Sequence, residues 1–244
     1  MTLSRRLVVL AATLSIAAGA WCATGTILHP SGRSATESRT VPAFNAVSLS
    51  LPADVVLRQA PLAPVSLEAD DNLLAEIETV VEGGALKLRF KRPLNVTGTP
   101  RIRILVTAPA FDAIAIAGSG NVRAETLRAG TLAASITGSG DLRLANLEAD
   151  AVKASISGSG DLRVGGRAAL FTASIAGSGD IDAASLETRR SSVSITGSGD
   201  VKVWATEALS ASVAGSGDVR FRGEPAVTKR IAGSGSVRRL GPAS

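Results

Sequence analysis

Two periods run together from Ala113 onward. Apolar residues alternate with polar ones, and the whole alternating phrase restarts every 18 to 20 residues. Each restart is marked by Gly-Ser-Gly followed by an acidic residue or a close substitute, with first glycines at Gly118, Gly138, Gly158, Gly177, Gly197, Gly215 and Gly233. Two residues before these glycines stand Ile116, Ile136, Ile156, Ile175, Ile195, Val213 and Ile231, all β-branched. Directly after the acidic position come Val122, Leu142, Leu162, Ile181, Val201, Val219 and Val237. Two residues further on come Ala124, Leu144, Val164, Ala183, Val203, Phe221 and Arg239. Alternation at period two turns the last two columns to one inward face of a strand. A fixed period near 20 residues marks a solenoid, whose coils bury their apolar face only against their neighbours. The pattern predicts an all-β protein: a single-stranded parallel β-helix of about seven Gly-Ser-Gly-Asp turns over 113–240. At an inter-strand spacing of about 4.8 Å the stack is on the order of 30 Å long.

The recurring glycines have a backbone reason. A corner repeated in register needs residues that tolerate positive φ and carry no side chain to meet the coil above. The serine between them can bond backbone groups or its neighbours in the stack. A glycine-rich phosphate loop would run into a helix and usually a lysine, whereas each loop here runs into a strand.

Ahead of the repeat, alternation continues in shorter phrases. Phe44, Val47, Leu49 and Leu51, then Val55 and Leu57, then Val65 and Leu67 are separated by Pro52, Pro61 and Pro64, the signature of short strands and turns. Leu86-Leu88-Phe90 and Ile102-Ile104-Val106 alternate in the same way, and Gly83-Gly84 supplies a turn before the first. Leu73, Leu74, Ile77, Val80 and Val81 are spaced for one short helix or a strand pair. Residues 41–112 therefore predict a β-rich N-terminal cap, continuous with the solenoid and covering its open edge. Residues 24–40 are rich in Ser, Thr, Gly and Arg without periodicity and predict a linker.

Residues 1–23 predict an export signal: Arg5 and Arg6, the apolar run Leu7 to Ala18, and the small residues Ala18-Gly19-Ala20. The stretch is short for a membrane span, so no span is expected once it is removed. Cys22 is the only cysteine, which rules out a disulfide within the chain, and Trp21 before it departs from a lipid-attachment signal. The expected location is exported: periplasm, outer surface or medium.

Composition narrows the chemistry. There are five Phe, two Trp, no Tyr and one histidine, His29, so triad and multi-histidine metal chemistry lack their usual members. Removing Arg5 and Arg6 takes the net charge from +5 to +3, and the remaining arginines are spread with acids beside them. A nucleic-acid binder would cluster basic residues with aromatics, so none is expected as partner.

The acidic column reads Asn121, Asp141, Asp161, Asp180, Asp200, Asp218 and Ser236; two residues later comes Arg123, Arg143, Arg163, Asp182, Lys202, Arg220 and Arg238. Stacked carboxylates about 5 Å apart repel by roughly 1–3 kcal/mol per exposed pair, depending on the effective dielectric, and the basic column on the same face can offset that. The column suggests no cofactor and no metal site. Calcium stays open, although calcium-binding β-rolls need glycine and aspartate at half this period. Two turns break the pattern. Asp182 replaces the basic residue, so Asp180 and Asp182, flanked by Asp161 and Asp200, are expected to form the densest carboxylate patch, suited to a cation or a sugar. Trp204 is expected to face outward, in line with Glu125, Ala145, Gly165, Ala184 and Arg222, where an indole can stack on a sugar or anchor an interface. The candidate binding residues are thus Asp161, Asp180, Asp182, Asp200 and Trp204.

Phe44-Asn45-Ala46-Val47, Ala53-Asp54-Val55-Val56-Leu57-Arg58-Gln59, Asp71-Asn72-Leu73-Leu74, Pro109 and the Gly-Ser-Gly-Asp array together resemble the head GIN domain family of "putative autotransporter adhesins" over about residues 40–240. The resemblance implies a parallel β-helix like that of pectin lyases without their catalytic residues, and a role in adhesion. The functional expectation is an exported, non-enzymatic β-solenoid of the cell envelope that binds a glycan or a surface protein. Two alternatives remain: a polysaccharide lyase or hydrolase on the same scaffold, and a structural module that self-associates as a homo-oligomer.

Overall fold

The structure is a computed structural model describing residues 26–98 and 100–240, so the signal segment 1–23 and Cys22 lie outside it. Within the range expected as a linker, two strands form: β1 (Thr26–Leu28) and β2 (Ser34–Arg39). Alternation gives no hint of β2 because most of its residues are exposed. Its backbone pairs antiparallel with β5 (Val65–Asp70), and Arg39 holds its far end, donating from Nη1 to the Ile77 carbonyl at 2.7 Å and from Nη2 to the Leu74 carbonyl at 2.8 Å.

β3 (Ala46–Ser50) and β4 (Asp54–Gln59) make one coil around the corner Leu51-Pro52-Ala53. After β5 the chain forms a single-turn helix, α1 (Asp71–Leu74), and then β6 (Ile77–Glu82), so the ambiguous apolar stretch holds one of each element. β7 (Ala85–Phe90) and β9 (Arg103–Ala108) make a second coil, and β8 (Leu94–Val96) between them pairs with β1. β3 lies parallel between β7 and β10 (Ala113–Gly118), and β4 lies parallel between β9 and β11 (Asn121–Gly138). The coil formed first along the chain is therefore second in the stack. Antiparallel pairings of β6 with β7 and of β5 with β9 close the N-terminal end, where a parallel edge would otherwise offer unpaired backbone groups.

From β11 each strand wraps nearly a whole coil: β12 (Asp141–Gly158), β13 (Leu162–Gly177), β14 (Ile181–Gly197) and β15 (Val201–Gly215) follow. The next coil is split into β16 (Asp218–Arg222) and β17 (Ala226–Gly233), and β18 (Ser236–Arg239) begins another. Seven Gly-Ser-Gly corners thus bound six full coils, stacked parallel. Register runs residue for residue, Ile116 beside Ile136, Ile136 beside Ile156, Val122 beside Leu142. The predicted inward columns are buried from Val122 to Val219, and burial of a Val, Leu or Ile side chain contributes about 1.5–3 kcal/mol.

The corner explains its own sequence. Gly138 has φ +118°, and a Cβ there would stand 2.6 Å from the Gly118 carbonyl oxygen, so only glycine fits. The stacking bond comes from the serine backbone: the Ser139 N–H donates to the Gly118 carbonyl at 2.9 Å, and Ser159 to Gly138 likewise. In the first coil Leu51-Pro52-Ala53 takes this place, and a Cβ on Gly120 would run into the Leu51 carbonyl. Among the described residues no helix is long and apolar enough to cross a membrane.

Candidate functional site

The acidic column sits at the Gly-Ser-Gly corner, and its carboxylates are engaged along the stack. Asp141 Oδ1 accepts the Asp161 N–H at 3.2 Å, Asp180 Oδ1 the Asp200 N–H at 2.8 Å, and Asp200 Oδ1 the Asp218 N–H at 2.9 Å. Asp218 Oδ1 accepts both the Ser236 N–H at 2.9 Å and its hydroxyl at 2.7 Å. The Ser236 hydroxyl, foremost, with the Ser236 N–H and Arg220, holds the Asp218 carboxyl below the usual carboxylate range despite some desolvation. Arg220 lies 3.4 Å from both Asp200 and Asp218, so the neighbouring basic column does offset the repulsion.

Asp182 stands in register between Arg163 and Lys202, on the strand that follows the corner. Its Oδ1 accepts its own Ala184 N–H at 3.1 Å, and its Oδ2 lies 3.4 Å from Lys202 Nζ. The expected carboxylate patch is thus divided: Asp161, Asp180 and Asp200 cap backbone or meet arginine, and Asp182 lies between two cations. Among the described residues no three acidic, histidine or cysteine side chains gather as a cation cage.

A second corner, opposite in role, joins the two faces of each coil. There Ala129, Ala149, Ala168 and Thr188 lie in register, followed by Ala205. Side chains this small recess the surface, and the recess continues from coil to coil as a groove of about 760 Å³ running from Arg128 to Thr206. One wall is a column of alternating charge, Arg128, Glu148, Arg167 and Glu187. The other includes Gly130, Asp150, Ala169 and Arg189. Arg128 Nε lies 3.2 Å from Glu148, and Arg189 Nε donates to Glu207 at 2.7 Å, which lowers the Glu207 carboxyl below its ordinary range. Arg167, Asp150 and Glu187 have no hydrogen-bond or ion-pair partner among the described residues.

Trp204 does not line the groove itself but follows Glu187, the last charge of its wall, in register. Between Ala183 and Glu187 on β14, facing Val203 and Trp204 on β15, the register jumps, so β15 is shorter there and Trp204 comes beside Glu187. Its neighbours across the stack are Glu187, in place of Ala184, and Arg222, and it is half-buried on the outward face. The corner beneath it is fixed by a buried polar pair: Thr188 Oγ1 donates to the Trp204 carbonyl at 2.7 Å and meets Ser191 Oγ at 2.8 Å.

Parallel coils with glycine corners and a polar lateral groove define a β-solenoid of the adhesin-head type. The chain belongs to the family described as "Putative auto-transporter adhesin, head GIN domain", whose model matches residues 43–225. Solved structures share the fold. A "putative adhesin" from Bacteroides fragilis NCTC 9343 superimposes with a TM-score of 0.84 at 24% identity, covering 87% of this chain and 100% of its own. A "putative adhesin" from Parabacteroides distasonis ATCC 8503 gives 0.70 at 26% identity, with 88% and 100% covered. A "putative lipid binding protein" from the same strain gives 0.76 at 23% identity, with the same coverage. Among curated proteins no sequence match is found.

Proposed function

We propose that the protein is an exported, non-enzymatic binding module of the cell envelope or the surrounding medium, and that the groove at the second corner is where its ligand lies. Adhesin-family membership supports the class. The observation that carries the site is the continuous groove across β11–β15, whose Arg167, Asp150 and Glu187 stand without protein partners among the described residues. Rigid coils fix the backbone beneath these groups, so binding orders only their side chains. Asp161, Asp180, Asp182 and Asp200 act in this reading as caps and charge partners of the scaffold, and Trp204 as part of the site. A glycan array probed with the exported form, with and without calcium, and paired with reducing-end assays on the glycans retained, tests it. Calcium-independent retention without cleavage is expected. Release of new reducing ends would replace the binding module with a carbohydrate-active enzyme.

A further inference from the structure

We infer that the groove is a row of subsites for a linear, uncharged oligosaccharide lying parallel to the solenoid axis. Arg167, Glu187 and Asp150 bind its hydroxyl groups, and Trp204 stacks on a ring at one end. This deepens the binding reading above by naming the ligand class and its place.

The groove is lined by Arg128, Arg167 and Arg189 and by Glu148, Asp150 and Glu187, equal numbers of each sign. A surface so balanced exerts no net pull on a polyanion, and a charged polymer would bring one sign of charge against both. Neutral sugars suffer no such penalty.

A guanidinium offers a rigid fork of donors and a carboxylate two acceptor oxygens, and adjacent hydroxyls on a pyranose satisfy either in pairs. Arg167 and Glu187 are in-register neighbours, so a donor fork and an acceptor pair stand one coil apart.

Spacing then separates sugars from peptides. Like charges on this wall recur every second coil, about 9.6 Å apart, whereas an extended peptide returns a side chain to the same side every ~6.8 Å. An alternating-charge peptide would lose register within two coils. A pyranose chain carries hydroxyls on both edges of every ring and has no charge register to keep. The recessed alanine floor gives flat apolar contact, and the volume of about 760 Å³ accommodates a few rings. Trp204, one coil beyond Glu187 in register, supplies just past the groove's end the side chain best suited to stack on a sugar face.

Calorimetric titration of the whole protein with three probes tests the inference: a panel of neutral hexose and pentose tetrasaccharides, a uronate tetrasaccharide, and an alternating Glu-Lys peptide. A neutral tetrasaccharide should bind, with affinity changing less than about twofold between about 50 and 500 mM NaCl. Arg167→Ala, Glu187→Ala and Trp204→Ala should each weaken it about tenfold, while Trp204→Phe keeps most of it and Asp182→Ala all of it. Binding confined to the uronate or the peptide, or falling steeply with salt, would overturn the ligand class and leave the binding module standing. No heat with any probe would overturn both.

Discussion

Asp200 Oδ1 accepts the backbone N–H of Asp218 at 2.9 Å, one coil further along the stack, and Asp218 repeats the bond onto Ser236. Most of the acidic column is therefore a row of backbone caps: Asp141, Asp180, Asp200 and Asp218 each accept the N–H of the next coil's corner, while Asp161 meets Arg163 instead. Asp218→Ala should cost about 1.5–3 kcal/mol in urea unfolding, the net worth of hydrogen bonds to a charged acceptor, since its carboxylate accepts both the N–H and the hydroxyl of Ser236. Because the folded carboxyl is held below its ordinary range, its contribution is fully present above the unfolded value, near pH 3.9. It is lost as pH falls through the lower native value. The stability difference between wild type and Asp218→Asn should stay constant from pH 7 to about pH 5 and vanish only in stronger acid.

The two kinds of glycine should separate cleanly. Gly138→Ala places a Cβ 2.6 Å from the Gly118 carbonyl at φ +118° and should destabilise by about 3 kcal/mol or more. Gly130, in the groove wall, has an unstrained backbone and nothing nearer than Asp150 Oδ2 at 3.9 Å. Gly130→Ala should shift stability by no more than about 0.5 kcal/mol, as thermal unfolding of the pair would show.

At the C-terminal end the inward columns change character. Lys229 follows Ala211 and Arg239 follows Phe221, while Val227 and Ile231 stay 40% exposed. Inward charges on the last coil blunt an edge that would otherwise template another coil. Lys229→Ala combined with Arg239→Val should therefore produce concentration-dependent association in light scattering. The wild type, at the same concentrations, should show no association through this end.

Most of the stack was legible in the sequence because each inward column repeats from its own corner. The groove was not. Counting forward from each Gly-Ser-Gly fails once a coil shortens, as at the register shifts after Leu144, Arg163 and Ala183. Counting back from the next first glycine recovers it, since Ala129, Ala149, Ala168 and Thr188 stand nine residues before Gly138, Gly158, Gly177 and Gly197. The same shortening moved Trp204 out of its expected column and beside Glu187. Strand β2 leaves no mark in the sequence because a peripheral strand held by backbone pairing and one arginine needs no apolar alternation.

Filling the groove from its floor tests its role most directly. Ala149 is half-buried at the centre of the recess, so Ala149→Phe places a ring in the groove and leaves the core columns untouched. On a glycan array the wild type should retain its ligand and Ala149→Phe should lose it, with the unfolding midpoint changed by less than ~1 kcal/mol equivalent. Undiminished binding by Ala149→Phe, together with loss in Asp182→Ala, would contradict the groove and return the site to the corner carboxylates.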